Sequence, residues 1–381
     1  MSVPRYGRPI GDMKRRDALA ACSLGALLGP VSLARASAGR PRVVFLNPGE
    51  AVEHGTGQHW QLVSEFMGIA ARSFDMRLDV VYAERDHLLM LRQAEEVARR
   101  ADPPDYVVIV NEKMAAQQML QLLARSSSKV VVIHNDVTAR QRREIGDERQ
   151  AIRNWIGTVT ANAASGGYRL MSYLCGRLAG EPARVIGITG DPNTPVSQER
   201  ASGVDAFLSR VGGSRMYQLV FSDWSYADSA EKTRVLLARY RDTNLVWAAN
   251  DSMALGALSA VRARGARVLV GGMGALPGAL RSVAEGGLAA MVGGDYFIGA
   301  WAMVLLYDYH HGKDFAASGG ARQTLDFLSV VHQGNVERFS QAIFDHGDEL
   351  DFTMFSKVRH PEPGPYDFTL ARLVGPFAGS G

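Results

Sequence analysis

The sequence predicts an α/β protein built as two doubly wound parallel-sheet lobes. Three observations predict it. Short apolar runs alternate with helix-period segments along most of the 381 residues. Each run is continuously apolar, as in strands covered on both faces, rather than alternating apolar with polar. Two series of such βα units, similar in length, flank a charged connector at 140–153, and 381 residues suit two domains of ~100–200 residues each.

Residues 43–47 form the first apolar run, closed by Asn47, Pro48 and Gly49. A loop with Gly55 and Gly57 leads to an amphipathic helix over 59–74. A strand over 78–82 and a helix over 88–98 follow, then a strand over 106–110 that ends at Asn111. After a helix over 114–123, the strand 130–133 ends at His134, Asn135 and Asp136. Past the connector come a strand at 156–159, a helix including 168–178, and a strand at 185–188 ending at Gly190, Asp191 and Pro192. A helix around 203–208, a strand at 216–221 ending near Trp224, and a helix over 230–240 complete the approach to the most informative stretch. There the apolar run 245–249 stops at Asn250 and Asp251, and a helix pattern starts at Met253. Asp251 or Ser252 is expected to cap that helix. Further strands at 268–270 and 289–292 and helices at 280–284 and 298–309 close the series, and no repeat of fixed period runs through it. From Asn335 onward, with Pro361, Pro363 and Pro365, the chain reads as an appended surface segment.

The net charge is +3, but the first 38 residues carry six basic and two acidic side chains, so the rest lies near −1. That balance excludes a nucleic-acid or anionic-membrane partner as an expectation. Lys14, Arg15 and Arg16 precede a weakly apolar segment and A-x-A sites at 34–36 and 36–38, the pattern of an export signal with twin-arginine character. The segment is too short and too rich in small residues for a membrane span. Cys22 belongs to that leader, with lipidation there as the alternative; the remaining Cys175, in a helical pattern, reads as a buried small hydrophobe, and no internal disulfide forms.

Phosphate-binding loop, zinc-protease helix, nucleophile elbow and dinucleotide fingerprint are all absent, and the nine histidines show no metal-ligand spacing, so no catalytic residue, metal or cofactor is expected. What stands out is polar and aromatic side chains at strand ends: Asn111, His134, Asn135 and Asp136 in the first half, Arg200, Trp224, Asn250 and Asp251 in the second. A cleft lined by them would suit a small polar molecule, with Asn and Asp as donors and acceptors, Arg as a rigid fork and an aromatic face over C–H surface. Each also has a structural alternative: Asn and Asp as turns or caps, Arg200 paired with a neighbouring carboxylate, and Trp60 and Trp224 as packing residues.

Asn250-Asp251-Ser252-Met253-Ala254-Leu255-Gly256-Ala257 resembles the N-D-x-M-A-x-G-A signature of the type I periplasmic sugar-binding proteins, the ribose/galactose-like receptors of ABC importers. Arg200-Ala201-Ser202-Gly203 resembles that family's R-x-x-G, and Asn162, Ser165, Gly166 and Gly167 fit the helix after its first lobe crossing. The resemblance runs over 43–331 and implies a hinge of three crossings near Thr160, Gly293 and Ser329. It implies an export leader at 1–38, one lobe from 39–160 with 295–328, and another from 161–294 with 329–381, including the tail. The ligand contacts it implies are Asn111, Asn135, Asp136, Arg200, Trp224, Asn250, His59, Trp60 and Met273. Met273 stands where the family has an aspartate, and Gly293 or Gly294 replaces a polar hinge contact. The resemblance implies an exported, monomeric, non-enzymatic periplasmic receptor that captures a sugar or sugar-like ligand for the permease of an ABC importer. Two alternatives use the same cleft: a receptor for a membrane sensor kinase or cyclase, and a carrier of a more apolar, lipid-like ligand, suggested by Met273 and the glycine-rich stretches Gly271 to Gly274 and Gly293-Gly294. The DNA-binding LacI-type relatives are disfavoured, because a leader replaces their DNA-binding helices.

Overall fold

The computed structural model describes residues 39–54 and 57–375, so the expected leader, Cys22 and Gly55 lie outside the described residues. Two six-stranded sheets organise the chain. The first contains β1 (Arg42–Asn47), β2 (Arg77–Tyr82), β3 (Tyr106–Val110), β4 (Lys129–Ile133), β5 (Trp155–Ala161) and β11 (Arg322–Leu325), in the order β2-β1-β3-β4-β5-β11, all parallel. The second contains β6 (Arg184–Thr189), β7 (Arg215–Phe221), β8 (Leu245–Ala248), β9 (Leu269–Gly274), β10 (Ala290–Gly293) and β12 (Ser329–His332), in the order β7-β6-β8-β9-β10-β12. All its neighbours are parallel except β12, which runs antiparallel to β10.

Central strands are apolar throughout because both faces are covered. Val43, Phe45, Val108, Val110, Val131 and Ile133 face a core shared with α1 (His59–Ser73) and α10 (Ile298–His310). Their sequence neighbours Val44, Leu46, Val107, Ile109, Val130 and Val132 face α2 (His87–Ala98) and α3 (Ala116–Leu123). The edge strands β2 and β7, by contrast, expose alternate residues. The connector expected at 140–153 holds a helix, α4 (Ala139–Ile145), that its polarity hid: Thr138 and Gln141 form a reciprocal capping box at its start.

On the second sheet α5 (Ala163–Gly176) packs on α6 (Pro195–Leu208), and α7 (Tyr226–Arg239) on α8 (Asp251–Ala263). Both contacts depend on a motif glycine. A Cβ at Gly203 would collide with the Ala164 carbonyl, and one at Gly256 with that of Tyr226. Cys175, expected to be buried, is half-buried at the edge of the core, where desolvation pushes its thiol up to about 11.

The chain passes between the sheets after β5, after β10 and between β11 and β12. The segment expected as a surface appendage carries α11 (Val336–Ser340), which packs on β12 and on α9 (Pro277–Ala284) of the second lobe, and then returns to the first. There Phe352, Phe355, Phe368 and Leu370 are buried, and Trp301 of α10 stacks on Phe368 with centroids 4.9 Å apart. The reason lies in α10, which is buried from Ile298 to Asp308 on every side. A helix that is apolar all round needs cover on both faces, and the sheet supplies only one.

Candidate ligand-binding cleft

The carboxyl ends of the strands deliver their polar residues to a gap between the two sheets, where open α/β sheets bind ligands. The gap holds about 580 Å³ of empty space, part of it open to solvent. The first turn of α1 contributes His59 and Trp60, the chain after β4 contributes His134 and Asn135, and the segments after β2 and β3 contribute Arg85 and Glu112. From the other side come Val196 and Arg200 of α6, Trp224 after β7, Asn250 and Asp251 at the start of α8, and Met273 at the end of β9. Asp295, just past β10, lies at the hinge. The lobes meet across the gap: the Val196 N–H donates to Oδ1 of Asn135 at 3.3 Å.

Seven of the expected residues line this cleft: His59, Trp60, Asn135, Arg200, Trp224, Asn250 and Met273. Asn111 and Asp136 do not. The Asn111 amide is consumed by structure, donating to the Asp136 carbonyl and the Gln141 side chain and accepting from the Ala116 N–H. Asp136 turns away to Arg142, whose guanidinium also holds Asp147 and Glu148. Glu112, next to Asn111, faces the gap instead and pairs with Arg85 at 3.1 Å.

Asn250, rather than Asp251 or Ser252, caps α8. Its Oδ1 accepts from the Met253 N–H at 2.8 Å, and its Nδ2 donates to the Trp224 carbonyl at 3.0 Å. The cap thereby fixes Trp224, which sits at φ 72° with its ring over Gly190. Asp251 lies beneath Gly274, accepting from the Leu276 N–H at 2.8 Å. Burial pushes its carboxyl up to about 7, against the stabilising pull of that N–H.

Asp295 supplies the carboxylate that Met273 seemed to remove. Arg200 donates to it and to the Ala249 carbonyl, bridging the hinge to the second lobe. The glycines before it do not widen the cleft. A Cβ at Gly293 would strike Phe339, and one at Gly294 would strike Leu370, both from the C-terminal segment. Gly293 and Gly294 therefore give no added room to an apolar ligand, whereas Met273 and Gly274 remain in the lining of the cleft.

On the first lobe His59, Trp60 and His134 form a ring cluster with every centroid pair 4.9 Å apart. His134, at φ 65°, is held in a strained conformation of the kind that collects at functional sites. Desolvation, helped by nearby Arg200, lowers His59 to about 3; desolvation, with His59 adding to it, lowers His134 to about 3 as well. Both are neutral near pH 7.

Several buried polar atoms around the cleft have no hydrogen-bond partner among the described residues: both ring nitrogens of His134, Nε2 of His59, Nδ2 of Asn135, Nε of Arg200, Nε1 of Trp224 and Oδ1 of Asp295. The strand-end polarity that singles out His134 extends to Arg85 and Glu112, a few residues further past β2 and β3. Asp295 was hidden because the reading of β10 stopped at its glycines.

The sequence pattern of the periplasmic binding protein domain matches residues 51–314. The ribose import binding protein RbsB of Haemophilus influenzae is 29% identical over 168 residues, 42% of this chain and 56% of that protein. RbsB of Escherichia coli is 31% identical over 148 residues, 38% of this chain and 49% of that protein. These alignments span about half the length of the curated relatives. A periplasmic sugar-binding protein from Pseudomonas fluorescens superposes with a TM-score of 0.76 at 32% identity, over 86% of this chain and 98% of that one. The myo-inositol binding protein of Caulobacter, solved with myo-inositol, superposes at 0.64 with 20% identity, over 78% and 94%, a likeness of fold.

Proposed function

We propose that this chain, which belongs to the periplasmic binding protein domain family, captures a neutral sugar or sugar-like polyol between its lobes for an ABC importer and makes or breaks no bond in it. The observation that carries the reading is the set of buried, unpartnered donors and acceptors that reach the gap from both lobes and the hinge. Leaving such a group unsatisfied costs roughly 1–3 kcal/mol. A polyol, with a donor and an acceptor on every hydroxyl, satisfies many of them at once, and Trp60 and Trp224 cover its C–H faces.

Neutrality follows from charge. Arg85 pairs with Glu112 and Arg200 with Asp295, so each guanidinium in the cleft already has a carboxylate. A sugar acid or sugar phosphate would have to compete for one of them. His59, Trp60, His134, Asn135, Arg200, Trp224, Asn250, Met273 and Asp295 are the residues to which we assign ligand contact or its support.

The reading assigns residues 39–160 and 295–328 to one lobe and 161–294 and 329–381 to the other, with the C-terminal segment bound across both. The grouping of β1–β5 with β11 in one sheet supports it. The arginine-bearing leader supports export to the periplasm, and the permease subunits of the importer are the partners the reading requires. Isothermal titration against neutral sugars and polyols tests it. One of them binds at one per chain, and Arg200→Ala weakens it at least about tenfold, since a lost hydrogen bond from a charged group is worth ~1.5–3 kcal/mol. A chain that binds only acidic sugars or only lipid contradicts the proposal.

A further inference from the structure

We propose that His59, His134 and Asp295 bind a divalent cation of the zinc, nickel or cobalt class inside the cleft. The inference rests on reading this cavity as a capture site and gives it a second, inorganic ligand. The three residues are far apart in sequence, yet one ligating atom of each lies within 4.8 Å of the other two. His59 Nδ1 is 3.7 Å from Asp295 Oδ1, and His134 Nε2 is 3.9 Å from Asp295 Oδ2. With bonds of ~2.0–2.2 Å, a tetrahedral ion holds its ligands roughly 3.3–3.5 Å apart, so side-chain shifts of about 1 Å close the set.

The chemistry of the three groups agrees with the geometry. Two imidazoles and a carboxylate suit borderline divalent ions better than calcium or magnesium, which prefer all-oxygen sites. The tautomers that turn His59 Nδ1 and His134 Nε2 inward bring two lone pairs and a carboxylate to one point. A hydroxyl there can donate its single hydrogen to only one of them, whereas a cation satisfies all three.

Arg200 on the Asp295 carboxylate is the outer contact that fixes the orientation of a ligating side chain. It leaves Oδ1 unpartnered and buried, as are both nitrogens of His134. Three protein ligands at the wall of a cleft leave a coordination position facing the cavity, open to water or to an oxygen of the captured solute.

The test is titration of the chelator-treated full chain with ZnCl₂ or CoCl₂ alone, without sugar. One equivalent binds, and cobalt develops the visible d–d bands of a low-coordinate N/O site. His134→Gln and His59→Gln each weaken the metal at least tenfold while melting as folded proteins. Should either fail to fold, electron spin echo of the Cu²⁺-loaded native chain reads the imidazole nitrogens directly. No saturable binding, binding unchanged in folded variants, or a spectrum without imidazole nitrogens overturns the site. Neutral sugars titrated into metal-free and zinc-treated chain separate the two claims. Sugar binding by a chain that takes up no metal removes the cation site alone, whereas metal binding with no sugar bound in either form removes the capture reading alone.

Discussion

At the scale of single residues, the cleft is a place where ordinary preferences are overridden. His134 and Trp224 sit in the left-handed region, at a cost of order 1–3 kcal/mol each, and hold ring nitrogens without partners. The titrations of three neighbours make that arrangement measurable. His59 and His134 stay neutral in the native state down to about 3, while unfolded imidazoles take up protons below about 6.5. The unfolded chain therefore binds more protons over that window, and stability falls as the pH drops through it. In a folded His134→Asn variant the acid-side fall in melting temperature is shallower than in the native chain; an equal slope contradicts the assignment.

Asp251 acts in the opposite sense. Its native carboxyl titrates near 7 and its unfolded one near 4, so the native state holds the extra proton between these values and loses stability as the pH rises. Asp251→Asn, which keeps an oxygen for the Leu276 N–H, flattens the decline in melting temperature between about pH 4 and 7, as differential scanning fluorimetry would record. At this scale the sequence was informative where a side chain follows a strand directly, as His134 and Asn250 do. It was uninformative about direction. Asn111 and Glu112 are adjacent, and only the backbone turn after β3 decides which of them faces the gap.

Among the elements, α10 and the C-terminal segment form the least expected unit. Asp308, buried in α10, accepts from the Lys357 and Val358 N–H groups at 2.6 and 3.3 Å, from the Tyr366 hydroxyl at 2.8 Å and from the Ser356 hydroxyl. Asp308→Ala leaves those donors without an acceptor, at roughly 1–3 kcal/mol for each that stays buried. A loss of at least about 3 kcal/mol in denaturant unfolding is expected, with residues 352–374 becoming open to proteolysis; a loss under about 1 kcal/mol would mean that the segment is not held there. The strands were legible because two-sided burial writes an unbroken apolar run. The C-terminal segment was not, because Phe352, Phe355, Phe368 and Leu370 follow neither a helix nor a strand period. The signal for it lay elsewhere, in an α10 with no polar face to give to solvent.

For the molecule as a whole, three crossings join the lobes, and the C-terminal segment spans them again through Phe339 and Leu370 on the hinge glycines. The two-lobed plan could be read from alternation and lengths, but this added span could not, since it depends on contacts between residues far apart in the chain. Across the gap, Asn135 meets Val196 and Arg200 meets Asp295, so the lobes are held near one another by a few polar contacts that a bound solute would reinforce. A solute drives closure only by contacting both lobes better when they are closed. Small-angle scattering of the purified chain, titrated with the neutral sugar found by calorimetry, tests this directly. The account predicts a radius of gyration that falls as the sugar saturates one site per chain, and a radius that stays constant through saturation would contradict it.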